Sequence, residues 1–240
     1  MSNAPSGKPK AWLSWSSGKD SAWTLHVLRT HGDVEVVGLL TTLNGTAGRV
    51  AMHAVREELL DAQAEAAGLP LIKVVLPQHP CSNEQYEQVM RDAIARAQAE
   101  GITRMAFGDL FLEDVRRYRE QMLAGTGIQP LFPLWGQPTG HLANRMIAAG
   151  LRACLTCVDP KQLAPTFAGR TFDEWLLEDL PDGVDPCGER GEFHTFAYAG
   201  PMFSEPIPIV PGEIVTRDGF VFADVLMGQR STKSPPGSLR

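Results

Sequence analysis

The spacing of apolar residues predicts alternating strands and helices in the first half of the chain. Ala11, Leu13 and Trp15 alternate as in a strand, and a helical spacing follows as far as Gly32, a typical C-cap residue. The pattern continues with strands over 34–43, 71–76 and 105–109 and helices over 53–67 and 82–101. Strands that alternate with helices form a parallel sheet through right-handed crossovers. We therefore expect an α/β fold with a doubly wound, Rossmann-like parallel sheet.

The rest of the chain predicts shorter elements. Two capping boxes, Ser82 with Gln85 and Thr171 with Glu174, predict helix starts. Other patterns indicate a charged helix over 113–124, a helix over 139–149, strands over 152–159 and 193–198, extended chain over 206–210, and a hairpin over 214–226 turning at Asp218-Gly219. We expect four segments: a flexible N-terminus (1–10), a first domain (11–135), a smaller C-terminal α+β domain (136–228) and a disordered tail (229–240).

Composition and charge narrow the classes of function. The 240 residues are 43% hydrophobic and 21% charged, as in ordinary globular proteins. A net charge of −6 opposes broad nucleic-acid binding, which needs clustered Lys and Arg to neutralise phosphates. No apolar run approaches the roughly 20 residues that cross a bilayer, and residues 1–10 lack the apolar core of a signal peptide. We expect a cytoplasmic protein that has no membrane partner.

The four cysteines are too few and too scattered to form a disulfide scaffold in a chain of this length. Cys154 and Cys157 have the C-x-x-C spacing of redox and zinc sites. They lie in an apolar run that predicts a strand, however, and residues three apart on a strand face opposite sides of the sheet. We interpret both as buried structural residues. Cys187 lies in a predicted loop, and we expect it to be the more reactive thiol.

Candidate chemistry begins where the first strand meets the first helix. Residues 13–21 read Leu-Ser-Trp-Ser-Ser-Gly-Lys-Asp-Ser, a turn rich in hydroxyl groups. The first N–H groups of a helix have no internal partner, and the helix dipole adds partial positive charge beside them. Lys19 contributes a full positive charge at the same place. The turn is therefore expected to bind phosphate.

Two nucleotide-binding motifs compete for this turn. A Walker A loop requires Gly where this chain has Leu13, and Ser or Thr after the Lys, where it has Asp20. The pattern Ser-Gly-Gly-x-Asp-Ser fits better, because it is matched by Ser16, Gly18, Asp20 and Ser21, with Ser17 in place of the first Gly. This resembles the PP-loop of the ATP pyrophosphatases, which cleave ATP between its α- and β-phosphates. A serine-rich helix cap that binds nothing is the alternative interpretation.

A second polar cluster follows Asp185-Pro-Cys187. Residues 188–195 read Gly-Glu-Arg-Gly-Glu-Phe-His-Thr. Glu189 and Glu192 suit binding of an amine, proton transfer or Mg²⁺, although an acidic turn before a strand would look the same. Ligands of parallel sheets bind beyond the carboxyl ends of the strands. The turn at 16–21, the loop at 42–53 and Gly108-Asp109 follow three such ends, so we expect them to converge on one site.

From 11 to 226 the chain resembles the diphthine:ammonia ligase group of PP-loop ATPases, within the adenine nucleotide alpha hydrolase-like superfamily. The resemblance rests on the order of five motifs: Ser-Ser-Gly-Lys-Asp-Ser at 16–21, Met52-His53, Phe107-Gly-Asp109, Pro133-Leu-Trp135, and Gly188-Glu-x-Gly-Glu192 followed by Thr195. It implies a PP-loop (HUP-type) ATP-binding domain over 11–135 and a substrate-binding domain over 136–228. The abundance of Ala, and of Arg over Lys, suggests a bacterial member.

The resemblance also implies an activity and a set of site residues. An ATP-dependent, AMP-forming amide ligase adenylates a substrate carboxylate with ATP and Mg²⁺, and ammonia or an amine then displaces AMP. We expect catalytic roles for Lys19, Asp20, Glu189, Glu192 and His194. We expect nucleotide contacts from Ser16, Ser17, Gly18, Lys19, Asp20, Ser21, Thr42, His53, Gly108 and Asp109. Asp20 and Asp109 are the expected Mg²⁺ ligands.

One motif departs from the family pattern and leaves the acceptor open. The family's final motif often reads Glu-Tyr-Glu-Thr, whereas this chain has His194 before Thr195. Histidine removes a negative charge and ordinarily titrates near a pKa of about 6.5, so the acceptor need not be diphthine. Two other functions stay open: a sulfur transferase acting on tRNA through Cys187 or Cys157, and a non-catalytic ATP-binding regulator. The sequence also leaves the oligomeric state open, a homodimer included.

Overall fold

The computed structural model describes residues 7–44, 49–50, 55–76 and 81–229. The first half contains the following elements: β1 (Lys10–Ser14), α1 (Lys19–His31), β2 (Glu35–Asn44), β3 (Arg49–Val50), α2 (Glu57–Ala67), β4 (Leu71–Leu76), α3 (Asn83–Ala99), β5 (Arg104–Ala106), α4 (Glu113–Leu123) and β6 (Gln129–Leu131). The second half contains α5 (Thr139–Ala148), β7 (Arg152–Val158), a short 3-10 helix (Pro165–Phe167), α6 (Glu174–Asp179), β8 (Phe193–Ala199), β9 (Ile209–Arg217) and β10 (Phe220–Met227).

The first half forms a parallel sheet, as the alternating pattern predicted. Five of the described strands run parallel in the order β4-β2-β1-β5-β6, and the short β3 pairs antiparallel with the end of β2. This arrangement confirms the α/β, Rossmann-like fold. The apolar pattern did not predict β6, which contains Pro130. Proline lacks an N–H group for the ladder, and β6 tolerates it because it is an edge strand.

The second half forms a separate antiparallel sheet in the order β8-β7-β10-β9. This sheet confirms the predicted smaller α+β region, although the division of the chain into domains at 136 stays a prediction. The hairpin turns at Asp218-Gly219 as expected, but β9 begins at Ile209. The stretch over 206–210 is therefore partly the start of β9. No helix in the described parts of the chain is long and apolar enough to cross a membrane.

The ends of α1 and α3 agree with the predicted capping residues, whereas the start of α6 does not. Gly32 ends α1 with a φ of 72°, and Ser82 with Gln85 forms the expected capping box of α3. The predicted start of α6 at Thr171 is wrong, because the side chain of Asp173 caps this helix by accepting from the amide of Leu176. Aspartate is among the strongest N-cap residues, and its carboxylate reaches an otherwise unpaired amide.

The structure changes the predicted start of α2 and the predicted extent of the N-terminal segment. The helix predicted over 53–67 begins at Glu57, and residues 51–54 lie outside the described residues. The predicted flexible segment 1–10 and tail 229–240 also lie outside them, apart from residues 7–10 and 229, and Lys10 already belongs to β1. The strand β1 alternates in sequence, but Trp12 is buried together with Leu13 because both faces of the sheet are covered.

Candidate active site at the carboxyl edge of the parallel sheet

The turn between β1 and α1 has the local geometry of an anion-binding loop. Gly18 is the N-cap residue of α1 and has no side chain that would cover the helix start. Ser17, in the position where the motif has glycine, adopts a φ of 69°. The hydroxyls of Ser16 and Ser21 are 3.2 Å apart, and that of Ser21 donates to the carbonyl of Gly18 at 3.0 Å. The turn thus presents hydroxyls and a helix N-terminus together.

Lys19 is buried at the start of α1, with 2% of its surface exposed. Its ammonium lies 2.8 Å from a carboxylate oxygen of Asp20 and donates to the carbonyl of Cys187. It also lies 5.5 Å from the ring centroids of Phe172 and Phe193. Burial acts to lower the pKa of Lys19, but the charge of Asp20 and other acidic neighbours outweighs burial and raises it. Lys19 therefore stays a cation in a buried, aromatic-walled position.

The second half of the chain holds this turn in place through β8. The amide of Lys19 donates to the hydroxyl of Thr195 at 3.1 Å, and the amide of Ala197 donates to the carbonyl of Ser17 at 2.9 Å. Gln63, buried on α2, donates to the carbonyls of Ser17 and Ala197 at 2.9 and 2.6 Å. It also accepts from the indole of Trp15 at 2.8 Å. Both sheets therefore contribute to the shape of the turn.

Gly108 brings the end of β5 against the start of α1. A Cβ at this position would lie 3.1 Å from the carbonyl carbon of Asp20 and from the amide nitrogen of Ser21. Only glycine permits this approach without displacing backbone. Asp109 follows at the same edge, where burial raises its pKa. Its carboxylate lies 3.6 Å from Nε of Arg119, a distance beyond a hydrogen bond.

The loop over 180–192 is organised by two buried carboxylates. Asp185 accepts from the hydroxyl of Thr139 at 2.7 Å and from the amide of Cys187 at 2.8 Å. Glu192, 2% exposed, accepts from the amides of Asp185 and Arg190, each at 2.9 Å. Carboxylates bound to backbone amides in this way brace a loop. The expected catalytic role of Glu192 stays a prediction, since its oxygens already bind the loop itself.

Glu189 is the carboxylate of this loop that points into the site. It accepts from the amides of Leu110 and Phe111 at 2.7 and 3.4 Å, so it also links the loop to the end of the β5 region. Burial, opposed by the hydrogen bond from Leu110, raises the pKa of Glu189 to about 7. A carboxylate with a pKa near neutrality is suited to accept a proton at physiological pH.

The pKa of His194 differs from the value that the sequence suggested. Burial, with the nearby charge of Lys19, lowers the pKa of His194 to about 4. The expectation of a group titrating near the usual histidine value is therefore wrong, because a second positive charge beside Lys19 is unfavourable in a poorly hydrated place. At neutral pH the ring is a neutral imidazole with one donor and one acceptor nitrogen.

These residues surround one cavity of about 500 Å³. Nine of the predicted site residues line it: Ser16, Gly18, Lys19, Asp20, Ser21, Gly108, Asp109, Glu189 and His194. Three other predicted residues among those described do not. Ser17 and Glu192 lie behind its wall, and Thr42 lies on β2 outside its lining. His53 lies outside the described residues.

Cys154, Cys157 and Cys187 lack the environment of an activated thiol. All four are free; Cys154, Cys157 and Cys187 are buried, and Cys81 is partly buried. Burial raises the pKa of Cys157 to about 11 and raises that of Cys187 still further, although Lys19 opposes the shift at Cys187. The expectation that Cys187 is reactive is therefore wrong, because a thiol nucleophile needs a lowered pKa. The buried structural interpretation of Cys154 and Cys157 fits their positions on β7.

The donor set fits a magnesium nucleotide. Among the described residues that line the cavity, three buried polar atoms make no hydrogen bond: Oδ1 of Asp20, and Oδ2 of Asp109 and Nε of Arg119, which face each other at 3.6 Å. Over the same residues, no group of three or more His, Cys, Asp and Glu side chains is arranged to hold a metal alone. Mg²⁺ in nucleotide sites uses only one or two carboxylates together with phosphate oxygens, which matches Asp20 and Asp109.

Sequence reasoning missed three residues that shape this site. Arg119 belongs to the predicted charged helix over 113–124, yet it lines the cavity and its guanidinium lies 5.1 Å from the ring centroid of Phe107. Asp185 and Gln63 are buried organisers of the loop and the turn. The sequence signal for Gln63 was a polar residue on the apolar side of a helix. No sequence signal pointed to Arg119, because α4 contains three arginines close together and the pattern does not distinguish one from another.

Comparisons with known proteins agree along both halves of the chain. The family model described as "Diphthamide synthase N-terminal domain" matches residues 9–130, and the one described as "Diphthamide synthase C-terminal domain" matches residues 139–225. A diphthine–ammonia ligase from Danio rerio is 29% identical over 242 residues, covering 88% of this chain and 90% of that protein. Those from Bos taurus and Homo sapiens are 28% and 26% identical, covering 88% of this chain and 86% of each.

Proposed function

Because the chain belongs to the diphthamide synthase family, we propose that it is an ATP-dependent, AMP-forming amide ligase that adenylates a substrate carboxylate and transfers ammonia or an amine to it. Its curated relatives are named diphthine–ammonia ligases, and the chain is an enzyme of their carbon–nitrogen ligase class. The observation that carries the proposal is the convergence of Lys19, Glu189 and His194 on one cavity at the carboxyl edge of the parallel sheet.

The first step uses the positive end of this cavity. A carboxylate oxygen of the acceptor attacks the α-phosphorus of ATP, the bond from that phosphorus to the bridging oxygen breaks, and pyrophosphate leaves. Negative charge builds on the bridging oxygen, and the ammonium of Lys19 together with the N-terminus of α1 opposes that charge. The hydroxyl of Ser16 lines the same end of the cavity and would donate to the phosphates in exchange for its bond to Ser21, whose own hydroxyl hydrogen is held by the carbonyl of Gly18.

Two carboxylates would hold the metal at this step. Asp20 has a buried oxygen that accepts no hydrogen bond among the described residues, and Oδ2 of Asp109 faces Arg119 at 3.6 Å without a hydrogen bond. Mg²⁺ bound between these carboxylates and the nucleotide would supply further positive charge to the phosphates. Arg119, whose Nε makes no hydrogen bond and lies 3.6 Å from the carboxylate of Asp109, is the residue that we assign to the substrate side, where it would bind the acceptor carboxylate or the α-phosphate.

The second step needs a proton acceptor. Ammonia attacks the acyl carbon, AMP leaves with the former carboxylate oxygen, and the nitrogen loses a proton. Glu189, with a pKa of about 7, is the base that we assign to this proton. His194 stays neutral and offers a hydrogen bond without adding charge to the site. The acceptor stays open, because histidine stands where the family motif often has glutamate.

Product analysis with matched lysine variants tests the function. The wild-type chain, given ATP, ammonium and candidate carboxylates, is expected to release AMP and pyrophosphate. Lys19→Met is expected to lose this activity and weaken ATP binding, whereas Lys161→Met, an exposed lysine, is expected to retain both. Formation of ADP, or full activity of Lys19→Met, would contradict the proposal.

The two other functions predict different results. A sulfur transferase would need a nucleophilic cysteine, and the buried, weakly acidic Cys157 and Cys187 oppose it. Cys157→Ala and Cys187→Ala are expected to keep ATP cleavage to AMP, whereas a sulfur transferase would lose sulfur transfer in one of them. A regulator would bind ATP tightly with no turnover under any of the acceptor conditions.

A further inference from the structure

The strand β9 presents an exposed edge and an apolar surface. The strand order β8-β7-β10-β9 leaves one side of β9 without a paired strand among the described residues. Within the same residues, six large hydrophobic side chains are exposed, and three of them, Val210, Ile214 and Val215, lie on β9. Ile214 is 60% exposed. An apolar strand with a free edge is a template for pairing with another chain.

The hairpin turn determines which backbone groups face this free edge. Asp218 and Gly219 have φ values of 53° and 83°, so they form a two-residue turn of type I′. In such a hairpin the flanking residues, Arg217 and Phe220, are a hydrogen-bonded pair, and such pairs alternate from there as far as Ile214, beyond which the register shifts between Ala223 and Val225. The N–H and C=O groups of Val215 therefore point toward β10, whereas those of Ile214 and Thr216 point outward.

We propose that two copies of this chain associate through β9, antiparallel and centred on Val215. In this register Ile214 of each copy lies opposite Thr216 of the other, so four outward backbone groups on each strand meet as hydrogen-bonded pairs. Val215 lies opposite its own copy in a pair whose side chains approach closely. The two-fold axis makes the surface complementary to itself.

Charge complementarity selects both the partner and the register. The same register places Glu213 opposite Arg217 of the second copy, and the two-fold axis repeats the pair. Centring on Ile214 would instead oppose Arg217 to Pro211, and centring on Thr216 would oppose Arg217 to Val215. When the two-fold axis passes between two residues, outward backbone groups of one strand face residues of the other whose groups point inward. The hydrogen bonds of the ladder then cannot form. Only pairing about Val215 combines a complete ladder with opposite charges.

The side chains on this face are exposed and make contacts that a second copy can replace. Glu213, Val215 and Arg217 line a groove of about 260 Å³ beside Phe222 and the ion pair of Arg56 and Asp224. The guanidinium of Arg217 lies 5.0 Å from the centroid of the Phe222 ring, and its Nε is 3.6 Å from the carboxylate of Asp218. Asp218 and Arg217 are exposed, so this contact is readily exchanged for Glu213 of a second copy.

A charge-reversal cycle tests the proposal by sedimentation equilibrium at micromolar concentrations of the full chain. The wild type is expected to be a dimer. Glu213→Arg and Arg217→Glu each place like charges opposite one another twice, and each is expected to weaken dimerisation by roughly tenfold or more. The double variant restores opposite charges and is expected to recover the dimer. Asp182→Arg, an exposed loop position, serves as the charge control and is expected to remain dimeric.

A backbone variant tests the register independently. Thr216→Pro removes an N–H that points to the free edge, so it is expected to abolish the dimer while circular dichroism and ATP turnover stay unchanged. A monomeric wild type would overturn the proposal, and so would a dimer that survives all of these substitutions or a double charge variant that stays monomeric. Because β9 contributes nothing to the active-site cavity, loss of the dimer and loss of ligase activity are separate results.

Discussion

The backbone amide of Lys19 donates to the hydroxyl of Thr195, 3.1 Å away and 176 residues later in the chain. This contact joins the first turn of α1 to β8 and fixes a buried N–H that would otherwise face the site. The turn over 16–21 is therefore completed by the second sheet. Its geometry depends on residues that lie far from it in the chain.

Removing the hydroxyl of Thr195 tests this connection. Thr195→Val keeps the shape but leaves the amide of Lys19 buried without a partner, so the free energy of unfolding is expected to fall by about 1–3 kcal/mol. The KM for ATP is expected to rise, since the turn loses a constraint. Urea unfolding and steady-state kinetics measure the two effects. Thr195→Ser retains the hydroxyl and is expected to stay near the wild type, and equal losses in both variants would contradict the assigned hydrogen bond.

Gly108 is expected to tolerate no side chain. In Gly108→Ala the new Cβ meets backbone atoms of Asp20 and Ser21 at 3.1 Å, so either β5 or the start of α1 must move. Overpacking of this kind costs about 1–3 kcal/mol, and displacement of the turn is expected to lower kcat/KM by about tenfold or more. Gly140→Ala, whose Cβ would meet no atom within 4 Å, is the matched control. Similar kinetics for both variants would refute the argument.

Glu189 is expected to govern activity near neutral pH. Its pKa is raised to about 7, so the carboxylate form that accepts a proton is lost as the pH falls through that value. Glu189→Gln is expected to lower kcat by about 10²–10⁴-fold. Ammonia itself also gains its reactive form as the pH rises, so the informative quantity is the ratio of wild-type to variant kcat/KM. That ratio should rise up to about pH 7 and then level off; a ratio independent of pH would exclude Glu189 as the base.

Ser17 is a strained residue whose replacement by glycine is expected to stabilise the protein. Its φ of 69° is left-handed, and its hydroxyl is buried without a partner among the described residues. Relief of about 1–2 kcal/mol of strain, reduced by about 0.5–1 kcal/mol of glycine entropy, leaves a gain of about 0–1.5 kcal/mol for Ser17→Gly. Ser17→Val is expected to be destabilised, because a branched side chain fits this conformation poorly. Chemical denaturation measures the free energy of unfolding of both variants. A Ser17→Gly variant less stable than the wild type would show that the serine hydroxyl stabilises the turn.

The sequence by itself determined the parallel sheet, the turn at its edge and the family. Buried strands and amphipathic helices have characteristic periods, and the turn motif lies within a few consecutive residues, so both can be read locally. The pattern missed the short strand β6, whose proline only an edge strand accepts. It also placed the cap of α6 at Thr171, two residues before the actual N-cap residue, Asp173.

Only the tertiary structure decided what the site residues are able to do. Glu189 and Glu192 look equivalent in sequence, yet packing directs one carboxylate into the cavity and the other to the amides of its own loop. His194 and Cys187 likewise have ordinary side chains whose pKa values are displaced by burial beside Lys19. Desolvation and hydrogen bonding depend on neighbours that are distant in the chain, and no local pattern contains them.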